Sequence, residues 1–109
     1  MSSIKRMTTV ADIDEALGAD VAVIYKHSPI CNLSASTHQQ VHRFVAAHPD
    51  ARVYIVDVVA NRDVSREIAD RLGIHHQSPQ AIVLRGGEPV WNASHLNVTA
   101  TALADQLAS

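Results

Sequence analysis

The chain has 109 residues and a mass of 11.8 kDa, which is the size of one compact domain, and we expect residues 1–109 to form it. Its 47% apolar and 18% charged residues indicate a globular fold and exclude a disordered chain. The formal charge of −2 and the nine scattered Lys and Arg residues exclude a nucleic-acid-binding stripe and a polybasic membrane segment. No apolar run is long enough for a bilayer span or a signal-peptide core, so we expect a cytoplasmic protein.

The first half of the chain predicts two helices around a buried strand. A helix is expected from about Val10 to Leu17, where the acids come early and a glycine follows. The segment Val21–Lys26 is almost continuously apolar and rich in β-branched residues, which indicates a strand buried on both faces of a parallel or mixed sheet. A long helix is expected from about Cys31 or Asn32 to Ala47, where a His-Pro pair ends it.

The second half predicts a strand, a helix, a hairpin and a last helix. These elements are Arg52–Asp57, Arg62–Leu72, the hairpin strands Gln80–Arg85 and Glu88–Asn92 joined by two glycines, and Thr99–Leu107. Two strand–helix units followed by a hairpin and a helix predict an α/β fold, with a central mixed sheet of four to five strands flanked by four helices. This order of elements resembles the thioredoxin-like architecture.

Cys31 is the only cysteine, which excludes an internal disulfide, a zinc site of several thiolates and a two-cysteine redox pair within the chain. It lies between a predicted strand and a predicted helix, and a helix N-terminus favours thiolate over thiol. Lys26 and His27 would add positive charge nearby, and Ser34 would donate a hydrogen bond to the sulfur. A free cysteine is more often an inert core residue, but the polar loop ending at Asn32 favours a reactive thiol.

The segment Ser78-Pro79-Gln80 directly precedes the third predicted strand. A proline at this point is compatible with an ordinary trans edge proline. In the thioredoxin architecture a cis-proline stands here beside the reactive cysteine, and the residue before it pairs with a bound peptide or thiol. The sequence leaves both alternatives open, although Cys31 and Pro79 support each other as parts of one site.

Three blocks in matching order carry a family resemblance. They are Tyr25-Lys26-His27-Ser28-x-x-Cys31-x-x-Ser34, His76-Gln77-Ser78-Pro79-Gln80 and Val90-Trp91-Asn92-x-Ser94-His95-x-Asn97-x-Thr99. Together they resemble the monothiol bacilliredoxin family, of the bacilliredoxin C or YtxJ type, over about Val21 to Leu107. Ile30 and Asn32 depart from the Thr and Pro that usually flank the family's cysteine, whereas Cys31 and Ser34 are kept.

The resemblance implies a monothiol thiol–disulfide oxidoreductase that removes bacillithiol from S-bacillithiolated proteins. Cys31 would be the catalytic nucleophile, free bacillithiol the co-substrate that regenerates it, and a flavin-dependent bacillithiol disulfide reductase an indirect partner. No bound cofactor is expected, and neither nucleic acid nor membrane is expected as a partner. One cysteine fits this chemistry, because the resolving thiol must then come from solution. The candidate substrate-binding residues are Lys26, His27, Asn32, Ser34, Ser78, Pro79 and His95.

The seven histidines invite a metal hypothesis. His38 and His42 share a helical face at the i, i+4 spacing of many zinc sites, but no carboxylate flanks them in the His-Glu-x-x-His manner. We therefore expect solvated surface histidines and no metal site. His75 and His76 precede the Ser-Pro turn and would either orient a substrate or play a structural role.

Two other functions remain open from the sequence. One is a thioredoxin-like binding or adaptor protein in which Cys31 is not catalytic. The other is a monothiol, glutaredoxin-like carrier of an iron–sulfur cluster held by Cys31 and an exogenous thiol.

Overall fold

The computed structural model describes residues 4–29 and 32–108, and it describes the side chains of the second helix from residue 35 onward. The elements in chain order are β1 Ile4–Arg6, α1 Val10–Leu17, β2 Val21–His27, α2 Asn32–Ala47, β3 Val53–Asp57, α3 Arg62–Leu72, β4 Gln80–Arg85, β5 Glu88–Ser94, a 3₁₀ turn His95–Asn97 and α4 Ala100–Ala108. In the described part of the chain, no helix combines the length and apolar character that a membrane crossing needs.

The five strands form one mixed sheet in the order β1-β3-β2-β4-β5. Strands β1, β3 and β2 are parallel, and β4 is antiparallel to both β2 and β5. The carboxyl ends of β2, β3 and β5 therefore meet the start of β4 at one edge of the sheet. The predicted mixed α/β sheet with four helices is confirmed.

Strand β1 and the 3₁₀ turn are the described elements that the sequence pattern did not predict. The first of them, β1, is the only strand of the two. It is a three-residue edge strand in which Ile4 pairs with Val53 of β3, and two of its residues are exposed. So short a segment has no alternation that distinguishes it from a loop. The boundaries of the predicted elements agree with the structure to within two residues, and those of α1, α3 and β4 coincide.

Alternating residues of β2 divide the core between the two faces of the sheet. Ala22 and Ile24 face α1 and α3, whereas Val23 and Tyr25 face α2 and α4. Each fully buried large apolar side chain contributes about 1.5 to 3 kcal/mol to stability. The α1/α3 face packs the buried side chains of Met7, Ile13, Ala16, Ala22, Ile24, Tyr54, Val56, Val64, Ile68, Ile82 and Leu84. The α2/α4 face packs those of Val23, Tyr25, Val41, Phe44, Val45, Val53, Ala81, Val83, Val98 and Leu103.

The hairpin between β4 and β5 depends on two glycines. Gly86 and Gly87 have φ values of 60° and 82°, in the left-handed region that glycine enters without steric cost. A Cβ atom on Gly87 would lie 2.7 Å from the carbonyl oxygen of Leu17, at the end of α1. The turn therefore also requires glycine because α1 packs directly against it.

Candidate functional site

The Ser78–Pro79 turn lies at the sheet edge where β2 and β5 end. Its peptide bond is cis, and Pro79 is buried. The next residue, Gln80, pairs with Lys26 of β2 on one side and with Ser94 of β5 on the other. The carbonyl oxygen of Pro79 accepts a hydrogen bond from the backbone N–H of His95 at 2.9 Å. The turn is thus fixed between the ends of two strands, and the loop that follows β2 leaves the sheet beside it.

Cys31, the predicted nucleophile, lies outside the described residues. Helix α2 begins at the next residue, Asn32. The side chains of Asn32 and Ser34 also lie outside the described part, so their predicted contacts with a substrate stay predictions. The same holds for the hydrogen bond expected from Ser34 to the sulfur.

Lys26 is a buried cation on the α1/α3 face. Its side chain has 0% exposure, and its Nζ lies 3.2 Å from Nδ1 of His76. Burial lowers the pKa of Lys26 from 10.5 to about 8. The ammonium is enclosed in this conformation, and its partner among the described side chains is His76. Direct contact between Lys26 and a substrate stays a prediction.

His76 links this buried cation to the surface. Its Nδ1 also lies 3.3 Å from Oγ of Ser65 on α3, and its ring is exposed. Desolvation and the Lys26 ammonium both lower the pKa of His76. Of the two roles left open for this histidine, the structure supports the structural one.

The start of β4 carries buried polar atoms that no other described group satisfies. Gln80 is 2% exposed, and its Nε2 donates to the carbonyl oxygen of His75 at 3.2 Å, while its Oε1 has no partner among the described residues. Oγ of Ser78 likewise makes no hydrogen bond within the described chain. Buried polar atoms without a partner are uncommon in folded proteins, and a role in catalysis is one of the explanations for them. Ser78 thus keeps its hydrogen-bonding capacity beside the cis-proline.

Tyr25 is the centre of a polar array on the α2/α4 face. Its Oη lies 3.0 Å from Nδ1 of His27 and 3.4 Å from Nδ1 of His38, and Nε2 of His38 lies 2.9 Å from Nε2 of His42. The rings of His27 and His38 pack at a tilt of 38° with centroids 4.6 Å apart. The prediction of solvated histidines is correct for the exposed His42 but wrong for His38, which is half-buried because it packs between its neighbours.

Burial sets the protonation preferences within this array. It raises the pKa of Tyr25, which therefore stays a neutral phenol. It lowers the pKa of His27, although Asp57 acts in the opposite direction. The pKa of His38 is lowered by burial and by the neighbouring His27 and His42. His27 and His38 are consequently held toward the neutral form at neutral pH.

His95 supports the site through its backbone. Its φ is 55°, in the left-handed region where few residues other than glycine lie. Its N–H donates to Pro79, and its carbonyl oxygen accepts a hydrogen bond from Oγ1 of Thr37 at 3.2 Å. The residue therefore connects the cis-proline turn to α2. A contact between its half-buried imidazole and a substrate stays a prediction.

Asp57 ends β3 at the same edge and has a local role. Its Oδ1 accepts hydrogen bonds from the N–H groups of Val59 at 2.9 Å and Ala60 at 3.0 Å. This carboxylate shapes the turn into α3. Among the residues that the structure describes, no group of three or more His, Cys, Asp or Glu side chains is arranged to hold a metal ion.

Sequence reasoning missed the site partners Tyr25 and Thr37. Tyr25 and His27 are two residues apart in a strand, which places them on one face, and this signal alone could have paired them. No sequence signal brings Thr37 to His95, because 58 positions separate them.

The comparisons with known proteins agree with this geometry. The family model described as monothiol bacilliredoxin BrxC matches residues 2–103. The chain belongs to the monothiol bacilliredoxin family. A solved structure described as a proposed oxidoreductase with a thioredoxin fold is 28% identical, with a TM-score of 0.88 over 94% of this chain and 92% of that one.

Two thioredoxins are similar in fold at lower identity. Mitochondrial thioredoxin 3 from Saccharomyces cerevisiae, in its oxidised form, is 19% identical with a TM-score of 0.77, covering 97% of this chain and 94% of that chain. Thioredoxin from Trypanosoma brucei brucei is 17% identical with a TM-score of 0.80, covering 99% and 94%. The predicted thioredoxin-like fold is confirmed, and fold and family together support a thiol redox function for this member of the monothiol bacilliredoxins.

Proposed function

We propose that the protein is a thiol–disulfide oxidoreductase that removes bacillithiol from S-bacillithiolated proteins, with Cys31 as the nucleophile. The observation that carries the proposal is the position of the Ser78–Pro79 turn, which lies between the ends of β2 and β5 at the edge where the chain leaves β2 toward Cys31. The family match and the 28% identical oxidoreductase-like structure support the same chemistry.

The reaction consists of two exchanges. The Cys31 thiolate attacks the bacillithiol sulfur of the capped protein, a disulfide forms between Cys31 and bacillithiol, and the protein leaves as a thiolate that takes a proton from solvent. The thiolate of a second bacillithiol then attacks the bacillithiol sulfur on Cys31. This step releases bacillithiol disulfide and restores the Cys31 thiolate. Each step exchanges one disulfide for another; overall the capped cysteine of the protein is reduced and the second bacillithiol is oxidised, so bacillithiol is the reductant and no other redox reagent enters.

Two polar groups near this edge would support these steps. Lys26 contributes positive charge beneath the edge, and the Ser78 hydroxyl, which has no partner among the described residues, lies next to Pro79. Oriented dipoles and nearby positive charge stabilise a thiolate. In this proposal the enzyme works in the cytoplasm without a bound cofactor, and a flavin-dependent reductase recycles the bacillithiol disulfide.

Transfer of bacillithiol to the enzyme tests the proposal. A bacillithiol-capped protein is mixed with the wild type and with Cys31→Ser, and intact masses are followed over time. We expect the mass of one bacillithiol to appear on Cys31 of the wild type while the substrate loses its cap, and neither change with Cys31→Ser. An uncapped substrate with Cys31→Ser, or no adduct on the wild type, would overturn the proposal.

The pH dependence of alkylation tests the reactivity of the thiol independently of the substrate. We expect the rate of Cys31 alkylation by iodoacetamide to have its midpoint below about 8.5, the ordinary value for a cysteine. A midpoint at or above this value would favour a non-catalytic adaptor. A coloured, iron-containing protein as purified would favour the cluster carrier instead.

A further inference from the structure

We propose that His38 and His42 form a binding site for a divalent transition-metal ion, with Cu²⁺ preferred. The two residues lie one turn apart on α2, and their Nε2 atoms converge to 2.9 Å. This inference is independent of the proposed thiol exchange, and it departs from the expectation of no metal site. Neither residue has a role in the reaction proposed for Cys31.

The separation of the two nitrogens suits one coordination geometry. Metal–imidazole bonds are about 2.0 to 2.1 Å long, so two adjacent ligands of a square-planar ion lie about 2.9 Å apart, whereas two ligands of a tetrahedral ion lie about 3.3 Å apart. In this structure the two Nε2 atoms share a hydrogen bond of 2.9 Å, and this separation equals that of adjacent ligands in the square-planar arrangement, which Cu²⁺ and Ni²⁺ adopt. The general affinity order also places Cu²⁺ above Zn²⁺ and Ni²⁺.

The surroundings of His38 orient it as a ligand. Its Nδ1 faces the buried hydroxyl of Tyr25 at 3.4 Å, so the tautomer that donates from Nδ1 leaves the Nε2 lone pair directed at His42. The hydroxyl proton of Tyr25 is then donated to Nδ1 of His27 at 3.0 Å. A hydrogen bond from the second ring nitrogen is the usual way in which proteins fix a metal-binding imidazole. The ring of His27 also packs against that of His38 and restricts its rotation.

The site is open on its outer side. His42 is exposed, and in the described part of the chain no third His, Cys, Asp or Glu joins the pair to complete a metal site. Water or a small ligand would therefore fill the remaining positions of a square-planar ion. Such a site exchanges its metal readily, unlike a closed structural site.

Copper titration of the full-length Cys31→Ser variant tests the proposal, because that background removes the thiol that copper would otherwise oxidise. We expect one Cu²⁺ per chain and an electron paramagnetic resonance spectrum with coupling to two nitrogens. His38→Gln and His42→Gln should each weaken binding by about tenfold or more and remove coupling to one nitrogen. Tyr25→Phe, which removes only the hydroxyl, should weaken binding by a smaller factor while retaining two nitrogens.

His48→Gln is the matched control, since His48 follows the same helix and packs on Phe44, away from the pair. In the Cys31→Ser background, His48→Gln should bind copper as tightly as the Cys31→Ser parent protein. Equal affinity for the parent, His38→Gln and His42→Gln would overturn the proposal, because the copper would then be bound elsewhere. Zn²⁺ binding tighter than Cu²⁺ would overturn the assignment of the metal. Absence of binding would show that the pair forms only an N–H···N hydrogen bond.

Discussion

Tyr25 and Lys26 are adjacent residues of β2, both have 0% exposure, and they enter opposite faces of the same sheet. The polar end of each side chain contacts histidine side chains. Tyr25 contacts His27 and His38, and Lys26 contacts His76. The phenol is neutral at physiological pH and is satisfied by two partners. The ammonium has three protons to donate and one described acceptor.

The two faces of the sheet accommodate buried polar groups in different ways. On the α2/α4 face the polar groups continue outward from Tyr25 to the exposed His42. On the α1/α3 face the charge of Lys26 stays enclosed. Burial favours the neutral form of both side chains. It raises the pKa of Tyr25 and lowers the pKa of Lys26 to about 8. Tyr25 is therefore neutral at physiological pH. Lys26 is mostly charged there, and its buried charge lowers the stability of the fold.

Replacement of the buried cation should give the largest change in stability. Lys26→Met is expected to stabilise the fold at pH 7 by about 2 kcal/mol, because desolvation of a charge exceeds the loss of one hydrogen bond. The folded pKa of about 8 is below the unfolded value of 10.5. The unfolded state therefore binds more protons between these values, and the wild type regains stability as pH rises through them.

Urea denaturation at pH 7 and at pH 10 checks this prediction. The advantage of Lys26→Met should be greatest below pH 8 and should largely disappear by pH 10.5. Lys5→Met is the matched control, because Lys5 is an exposed lysine paired with Glu15 and should show no such pH-dependent gain. A Lys26→Met protein that is less stable than the wild type at pH 7 would contradict the prediction, because the buried cation would then stabilise the fold.

Removal of the phenolic hydroxyl should have a smaller effect of the opposite sign. Tyr25→Phe is expected to cost about 1 kcal/mol, since one buried oxygen and its hydrogen bonds disappear while the ring still fills the core. Nuclear magnetic resonance should show altered imidazole resonances for His27 and His38. Tyr54→Phe, on the other face of the sheet, should leave those resonances unchanged. Identical shifts in both variants would contradict the proposed array of Tyr25, His27 and His38.

Loss of the hydroxyl that joins α2 to the 3₁₀ turn should cost slightly less. Thr37→Val keeps the shape of the side chain but removes the hydrogen bond to the carbonyl oxygen of His95. We expect a loss of about 0.5 to 1 kcal/mol in thermal or urea unfolding, together with slower thiol exchange as the cis-proline turn loses support. Unchanged kinetics would show that the turn does not need this connection.

Exposed ion pairs should contribute least. Arg71 on α3 bonds to Glu67 on the same helix and to Asp14 on α1, so these two helices are joined by charge at the surface. Arg71→Gln should lower the urea midpoint slightly, and 1 M NaCl should abolish the difference between variant and wild type because salt screens exposed pairs. A difference that persists in salt would indicate packing by the arginine stem instead.

Most of the fold follows from local patterns in the sequence. The β-branched run of β2, the i, i+4 apolar positions of α3 and the glycine pair of the hairpin each specify an element by themselves. Strand β1 has no such pattern, because its pairing with β3 comes from contacts made after folding.

The site is less predictable, because its partners are distant in sequence. Lys26 and His76 are 50 positions apart, so the burial of the lysine cannot be anticipated from its polar loop neighbours. The supporting role of His95 lies in its backbone at φ 55° and leaves no signature in the residue type. The Ser-Pro turn and the start of α2 at Asn32 could be predicted, since both have local signals in the sequence.

The choice between bacillithiol and other low-molecular-weight thiols tests the central claim most directly. One substrate protein is capped in parallel with bacillithiol and with glutathione, and the initial rate of transfer to Cys31 is measured by mass spectrometry for both. The account predicts that bacillithiol is transferred at least about tenfold faster, equivalent to about 1.4 kcal/mol in the transition state. Equal rates, or faster transfer of glutathione, would contradict it.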